Sequence, residues 1–142
     1  MTYDIISKRL RKSIVVKKPD VLYNFLKRYT KLGQEMFLTV TLKTNLEIIG
    51  IHITTIGLIN KTLVHPREVF KHSIRDESSS IIIVHTHPYG NPEPSKEDIE
   101  ITEQMRKSGD ILGINVLDHL IITRKGYFSF SKSRPLLDQI FD

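Results

Sequence analysis

Two imidazoles and a carboxylate stand close together in the middle of this chain, at His85, His87 and Asp98. His85 and His87 are two residues apart, so on an extended backbone their side chains share a face. Asp98 follows a loop stiffened by Pro88, Pro92 and Pro94. Two nitrogen ligands and one oxygen ligand leave one position open, which is how a catalytic zinc is held. A structural zinc is closed by four ligands, usually with cysteine. The chain has no cysteine, which excludes a structural thiolate site. One Zn²⁺ per chain is the expectation, although two histidines and an aspartate also accept Mn, Fe, Co or Ni. Ser95 and Asp98 carry a second reading, a helix N-cap with an acid three residues on, close to a capping box. The two roles are compatible, because a cap fixes the direction of a first-turn carboxylate and a tight site needs an aimed ligand.

The elements that must position these groups follow from the hydrophobic pattern. Ile81 to Val84 is a continuous apolar run, the mark of a central strand buried on both faces, and His85 follows it directly. After Pro94 a helix is expected from about Lys96 to Ser108, stopped by Gly109. Upstream, Pro19 opens a helix in which Val21, Leu22, Phe25, Leu26 and Tyr29 recur at three-to-four spacing up to Gly33. Met36 to Lys43 alternates as a strand, and Thr44 and Asn45 turn it into a second strand from Leu46 to about Thr55. Gly57 and Asn60 mark a loop, and a helix opens at His65 and Pro66 and runs to about Arg75. Gly113 to Thr123 reads as a strand, Lys125 and Gly126 as a turn, and Tyr127 to Phe130 as a last strand. The expectation is an α/β (α+β) fold, a single domain with a central mixed sheet flanked by helices. Its bounds are set at residues 19–142, after an arm at 1–18 in which Ile14 to Val16 reads as a short strand.

Composition narrows the class. At 142 residues, 39% hydrophobic and 26% charged, the chain suits one ordinary globular domain. No apolar run approaches the ~20 residues of a membrane span, and the start has no apolar signal core, so no membrane role is expected. The absence of cysteine fits a cytoplasmic location. The net charge of +5 is concentrated in residues 1–34, where nine Lys and Arg face two acids, while the remainder is net −2. Such an arm suits contact with nucleic-acid phosphates, or is simply a solvated terminus without an aromatic stacking pattern.

The joint pattern His85-x-His87-Pro88-x-Gly90 followed by Pro94-Ser95-x-x-Asp98 resembles the JAMM signature of the JAB1/MPN metalloproteases. The flanking blocks, from Val64 to Lys71 and from Leu112 to Ile122, resemble the bacterial RadC branch, and the likeness spans roughly residues 19–131. The resemblance implies an MPN/JAB-like fold with His85, His87 and Asp98 as the metal ligands. It implies that the Ser95 hydroxyl steadies a tetrahedral oxyanion, and that a glutamate moves the proton of the attacking water to the leaving amine. The implied reaction is hydrolysis of a peptide or isopeptide bond in a peptide or protein substrate.

That glutamate has no obvious place. In many RadC-like chains it lies a few residues before the glycine equivalent to Gly57, and here His52 to Gly57 holds no carboxylate. Glu47 lies six residues before Ile53, and Glu68 belongs to a helix start, where the macrodipole alone justifies an acid. Asp118 or His119 could support a ligand from behind, at most one of the two facing inward, whereas His52 reads as a core histidine. Three functions compete: a JAMM-type zinc hydrolase, a metal-binding module without turnover, and a nucleic-acid role accessory to DNA repair carried by the arm.

Overall fold

A computed structural model describes residues 12–57 and 64–133. Lys8, Arg9 and Arg11 of the basic arm, Asn60, and the stretch 134–142 lie outside the described residues. Helix α1 spans Pro19–Leu26 and continues as a 3-10 helix, Lys27–Leu32, which ends on Gly33 in the left-handed region (φ 77°). Strands β1 (Met36–Leu42) and β2 (Ile48–Ile56) follow, then α2 (Pro66–Asp76), β3 (Ser80–Thr86), α3 (Lys96–Leu112), β4 (Asn115–Ile122) and β5 (Tyr127–Ser129). They build one five-stranded sheet in the order β2-β1-β3-β4-β5. Among the described residues the only parallel pair is β3 with β4, joined by α3 as a crossover; the others are antiparallel. This is the mixed sheet with flanking helices that the sequence led us to expect.

Burial follows from this layering. All seven residues of β3 are buried, as its apolar run required, and so are all seven of the alternating β1, Thr39 and Thr41 included. One face of the sheet packs Leu38, Val40, Ile82, Val84, Leu120 and Ile122 against Leu22 and Leu26 of α1. The other packs Phe37, Ile81 and Ile83 against Val69 and Phe70 of α2 and Ile101 and Met105 of α3. Val15 makes an isolated bridge to Glu47, and Val16 joins the first of these cores.

One helix end departs from the expected one. Helix α3 does not stop at Gly109 but runs a turn further to Leu112 and is capped by Gly113 in the left-handed region (φ 73°). Gly109 serves a close approach instead: a Cβ placed there would lie 2.3 Å from the carbonyl oxygen of Ile114. The glycine lets the chain leaving α3 double back against the helix, and the Ile114 N–H donates to the Gly109 carbonyl at 2.9 Å.

Candidate metal centre

The site lies where three chain segments meet at one end of the sheet. Strand β3 delivers His85, in register with Phe37 of β1 and Ile121 of β4. His87 follows just beyond the strand, its N–H donating to the Ile122 carbonyl at 2.7 Å, so the parallel neighbour fixes the start of the loop. The two imidazoles stand edge to face, 4.4 Å apart at 89°. Helix α3 delivers Asp98 from its first turn. The full capping box is present: Ser95 Oγ accepts from the Asp98 N–H at 3.1 Å, and Asp98 Oδ2 accepts from the Ser95 N–H at 2.8 Å and from its hydroxyl at 2.9 Å.

Asp98 is 1% exposed, and its Oδ1 lies 2.7 Å from His85 Nδ1. Its Oδ2 lies 3.8 Å from His87 Nε2. Burial pushes its carboxyl up, but the hydrogen bond and charge of His85 and the Ser95 N–H outweigh this and hold it below the usual carboxylate range. His87 is held below the ordinary imidazole value by burial and by the charge of His85. An acid that stays ionised and an imidazole that stays neutral are the protonation states a metal requires.

No carboxylate of β2 stands at the site, but one from the segment before β1 does. Glu35 stands immediately before β1, and its Oε2 lies 3.9 Å from His85 Nε2. Because β1 runs antiparallel to both β2 and β3, its start lies beside Thr86 and beside Ile56 at once. The Gly57 N–H donates to the Glu35 carbonyl at 2.8 Å, so the glycine that marked the expected place is the backbone partner of the glutamate itself. Glu47 stands just before the far end of β2, about 30 Å from the site end at strand rise, and binds Lys43 and Ser13. Glu68 pairs with Lys71. The signal for Glu35 was an acid between the left-handed Gly33 and the first strand residue, legible only once β1 is known to neighbour β3.

Glu35, His85 and His87 thus form a candidate metal triad, with ligand atoms all within 4.8 Å of one another. The donor set fits a divalent cation on a second count: His85 Nε2 is buried and makes no hydrogen bond among the described residues. The His85 ring therefore stands between two carboxylates, Asp98 on its Nδ1 side and Glu35 on its Nε2 side.

The other histidines and Asp118 have partners of their own. His52 ion-pairs with Asp76 at 2.6 Å and stacks on His72 at 4.5 Å, as a core histidine between β2 and α2. His65 caps α2, accepting from the Arg67 N–H. Asp118 and His119 are both buried. A β-bulge precedes them in the pairing with β3. Asp118 accepts from the Ser129 hydroxyl at 2.6 Å and the Ser131 N–H at 3.0 Å, which ties down the end of β5. His119 turns toward α3 and meets Thr102. Burial keeps its imidazole neutral down to about 3.

The family model of the RadC-like JAB domain matches residues 16–135. This chain belongs to the RadC-like JAB domain family. A UPF0758 protein of Thermotoga maritima is 42% identical over 115 residues, covering 81% of this chain and 52% of that protein. One from Moorella thermoacetica is 44% identical over 128 residues, 90% of this chain and 56% of the other. One from Methanospirillum hungatei is 54% identical over 92 residues, 65% and 41% respectively. The chain spans about half the length of the curated relatives it matches. The matched segment of this RadC-like domain holds every candidate site residue, from Glu35 to His119. No helix among the described residues is long and apolar enough to cross a membrane.

Proposed function

We propose that this RadC-like domain is a zinc-dependent hydrolase of the JAMM type, acting on a peptide or isopeptide bond. The family resemblance implies His85, His87 and Asp98 as the residues that would hold the ion, and Glu35, whose carboxylate stands together with the two histidines, is then the general base. The observation that carries the reading is the Glu35 carboxylate 3.9 Å from His85 Nε2, the proton acceptor that separates an enzyme from an inert metal holder. The division of labour between the two acids follows from their surroundings. Asp98 is buried and held through both oxygens, as suits a fixed ligand. The Glu35 side chain is 40% exposed, as suits a group that takes a proton from water and delivers it to a departing amine. A divalent ion held at this site supplies the Lewis acidity that makes water a nucleophile near neutral pH and polarises a carbonyl.

A second reading, a metal-binding module with little or no turnover, draws support from Ser95. Its hydroxyl proton is committed to Asp98 Oδ2 and its oxygen to the Asp98 N–H. Steadying an oxyanion would require Ser95 to turn that proton away from the cap. Contact of the basic arm with nucleic acid is a further proposal; it predicts binding that weakens steeply with salt and vanishes when residues 1–18 are removed.

The deciding experiment joins metal analysis to turnover. The purified chain should bind about one zinc and cleave members of a quenched fluorescent set of peptides and lysine-linked isopeptides, and a chelator should stop the cleavage. Asp98→Asn should lose the zinc. Zinc binding without chelator-sensitive cleavage would establish the binding module instead, and no zinc at all would remove both readings.

A further inference from the structure

We propose that His119 is a positioning residue for the metal centre, holding Asp98 from behind through the hydroxyl of Thr102. The inference rests on Asp98 serving as a ligand, as argued above. Thr102 lies one turn after Asp98 in α3, and its hydroxyl donates to the Asp98 carbonyl at 2.7 Å. That hydroxyl has a single proton, so toward its other neighbour it can only accept. The neighbour is His119 Nδ1, at 2.5 Å. His119 is therefore the tautomer that carries its proton on Nδ1, and it donates that proton to Thr102.

The chain His119–Thr102–Asp98 is buried from end to end: the three residues are 1%, 2% and 1% exposed. It crosses from β4 to α3 at the level where His119 pairs with Ile83, two residues before His85 on the neighbouring strand. Asp98 is then fixed at three points: His85 on Oδ1, the Ser95 cap on Oδ2, and Thr102 on its own carbonyl. The first acts on the side chain alone, and the cap also takes the Asp98 N–H. The third keeps the first turn of α3 from sliding or rotating over the sheet, and with it the reach of the carboxylate toward the histidines.

Packing alone does not call for a histidine here. The positions that follow it in β4 are Leu120, Ile121 and Ile122, all buried. His119 stacks flat on Phe130 at 4.9 Å and meets the edge of Phe37 at 5.9 Å, contacts that a phenylalanine or leucine would also make. Its Nε2 is buried and makes no hydrogen bond among the described residues. A polar ring buried with one nitrogen unsatisfied costs stability, so the other nitrogen, on Thr102, is where its use lies.

The test measures zinc affinity by competition with a chromophoric chelator, alongside the visible spectrum of the cobalt-substituted chain. Thr102→Val keeps the shape and deletes the hydroxyl, and should weaken zinc binding about 10–100-fold, the range found when partners behind a ligand are removed. It should also change the intensity and position of the cobalt bands, while Thr102→Ser stays within about threefold of wild type with an unchanged spectrum. His119→Leu should behave as Thr102→Val does. His119→Asn, which brings an amide N–H to about the place of Nδ1, should restore most of the affinity. If His119→Leu does not fold, the two Thr102 variants carry the test. Wild-type affinity and cobalt spectrum in Thr102→Val would overturn the proposal. If the wild-type chain takes up no zinc, the ligand reading itself has failed, and amide exchange in the metal-free chain decides the positioning. Protection of residues 98–102 should then fall about tenfold in Thr102→Val and not in Thr102→Ser; equal protection overturns it.

Discussion

Glu35 and His85 face each other across the β1–β3 pair, carboxylate oxygen to Nε2 at 3.9 Å, although they lie fifty residues apart in the chain. Antiparallel pairing brings the first residues of β1 to the last residues of β3, and the site is assembled by that register. His85 is thereby held between a half-buried acid on one side and a buried, capped acid on the other. Two carboxylates in such different surroundings are suited to different work.

Replacing Glu35 by Gln keeps the shape and removes the proton acceptor. Zinc affinity should stay within a few-fold of wild type, while kcat falls by about 10²-fold or more with KM little changed. Equilibrium competition for zinc and steady-state kinetics on the same preparation separate the two effects. A Glu35→Gln chain that loses zinc as Asp98→Asn does would make Glu35 the third ligand and Asp98 the residue that orients His85.

Ser95→Ala should act through the helix and the ligand together. It removes one N-cap acceptor and the hydroxyl that donates to Asp98 Oδ2. Urea unfolding should show a loss of about 1 kcal/mol, and zinc binding should weaken by several-fold because the carboxylate is less firmly aimed. Ser95→Thr should recover the stability. An alanine variant with unaltered zinc affinity would confine Ser95 to the cap.

Most of the fold was legible because period and burial agree. The run Ile81 to Val84 reads as an interior strand, and the Ser95–Asp98 spacing announced a capped helix and the direction of its carboxylate. Two features were not legible, for one reason: both depend on which segments become neighbours. Glu35 has no local pattern that marks it as functional, and it acquires a role only when β1 lies beside β3. Gly109 looks like a helix stop in the sequence. In space it is a contact with the returning chain at Ile114, and the true stop is Gly113, four residues later.

Gly109→Ala tests that contact by the sign of its effect. In an exposed helix interior the change stabilises by about 1 kcal/mol. Here the added Cβ meets a backbone carbonyl at 2.3 Å and the Val116 side chain at 3.3 Å. A carbonyl at the start of β4 cannot move without shifting the strand, so unfolding should show a loss of about 2–3 kcal/mol. Stabilisation would mean that the α3–β4 connection yields freely.

The pH dependence of stability should carry the imprint of His72, buried on α2 against His52. Burial, then the charges of His52, Lys71 and Arg75, lower its pKa to about 4, against a smaller opposing pull from Asp76. The unfolded chain binds that proton near 6.5 and the folded chain only near 4, so the unfolded state holds more protons throughout the interval. Stability from this group is therefore complete above about pH 6.5 and declines as pH falls toward 4, by about 2–3 kcal/mol at most. His119, also held neutral by burial, adds a decline of the same sign that extends to lower pH. His72→Phe keeps a flat ring against His52 and removes one titrating group. Its unfolding free energy, followed by urea titration from pH 7 to 4, should fall less steeply than that of wild type while the His119 share remains. Equal slopes in the two proteins would show that His72 takes up its proton in the fold as readily as in the unfolded chain.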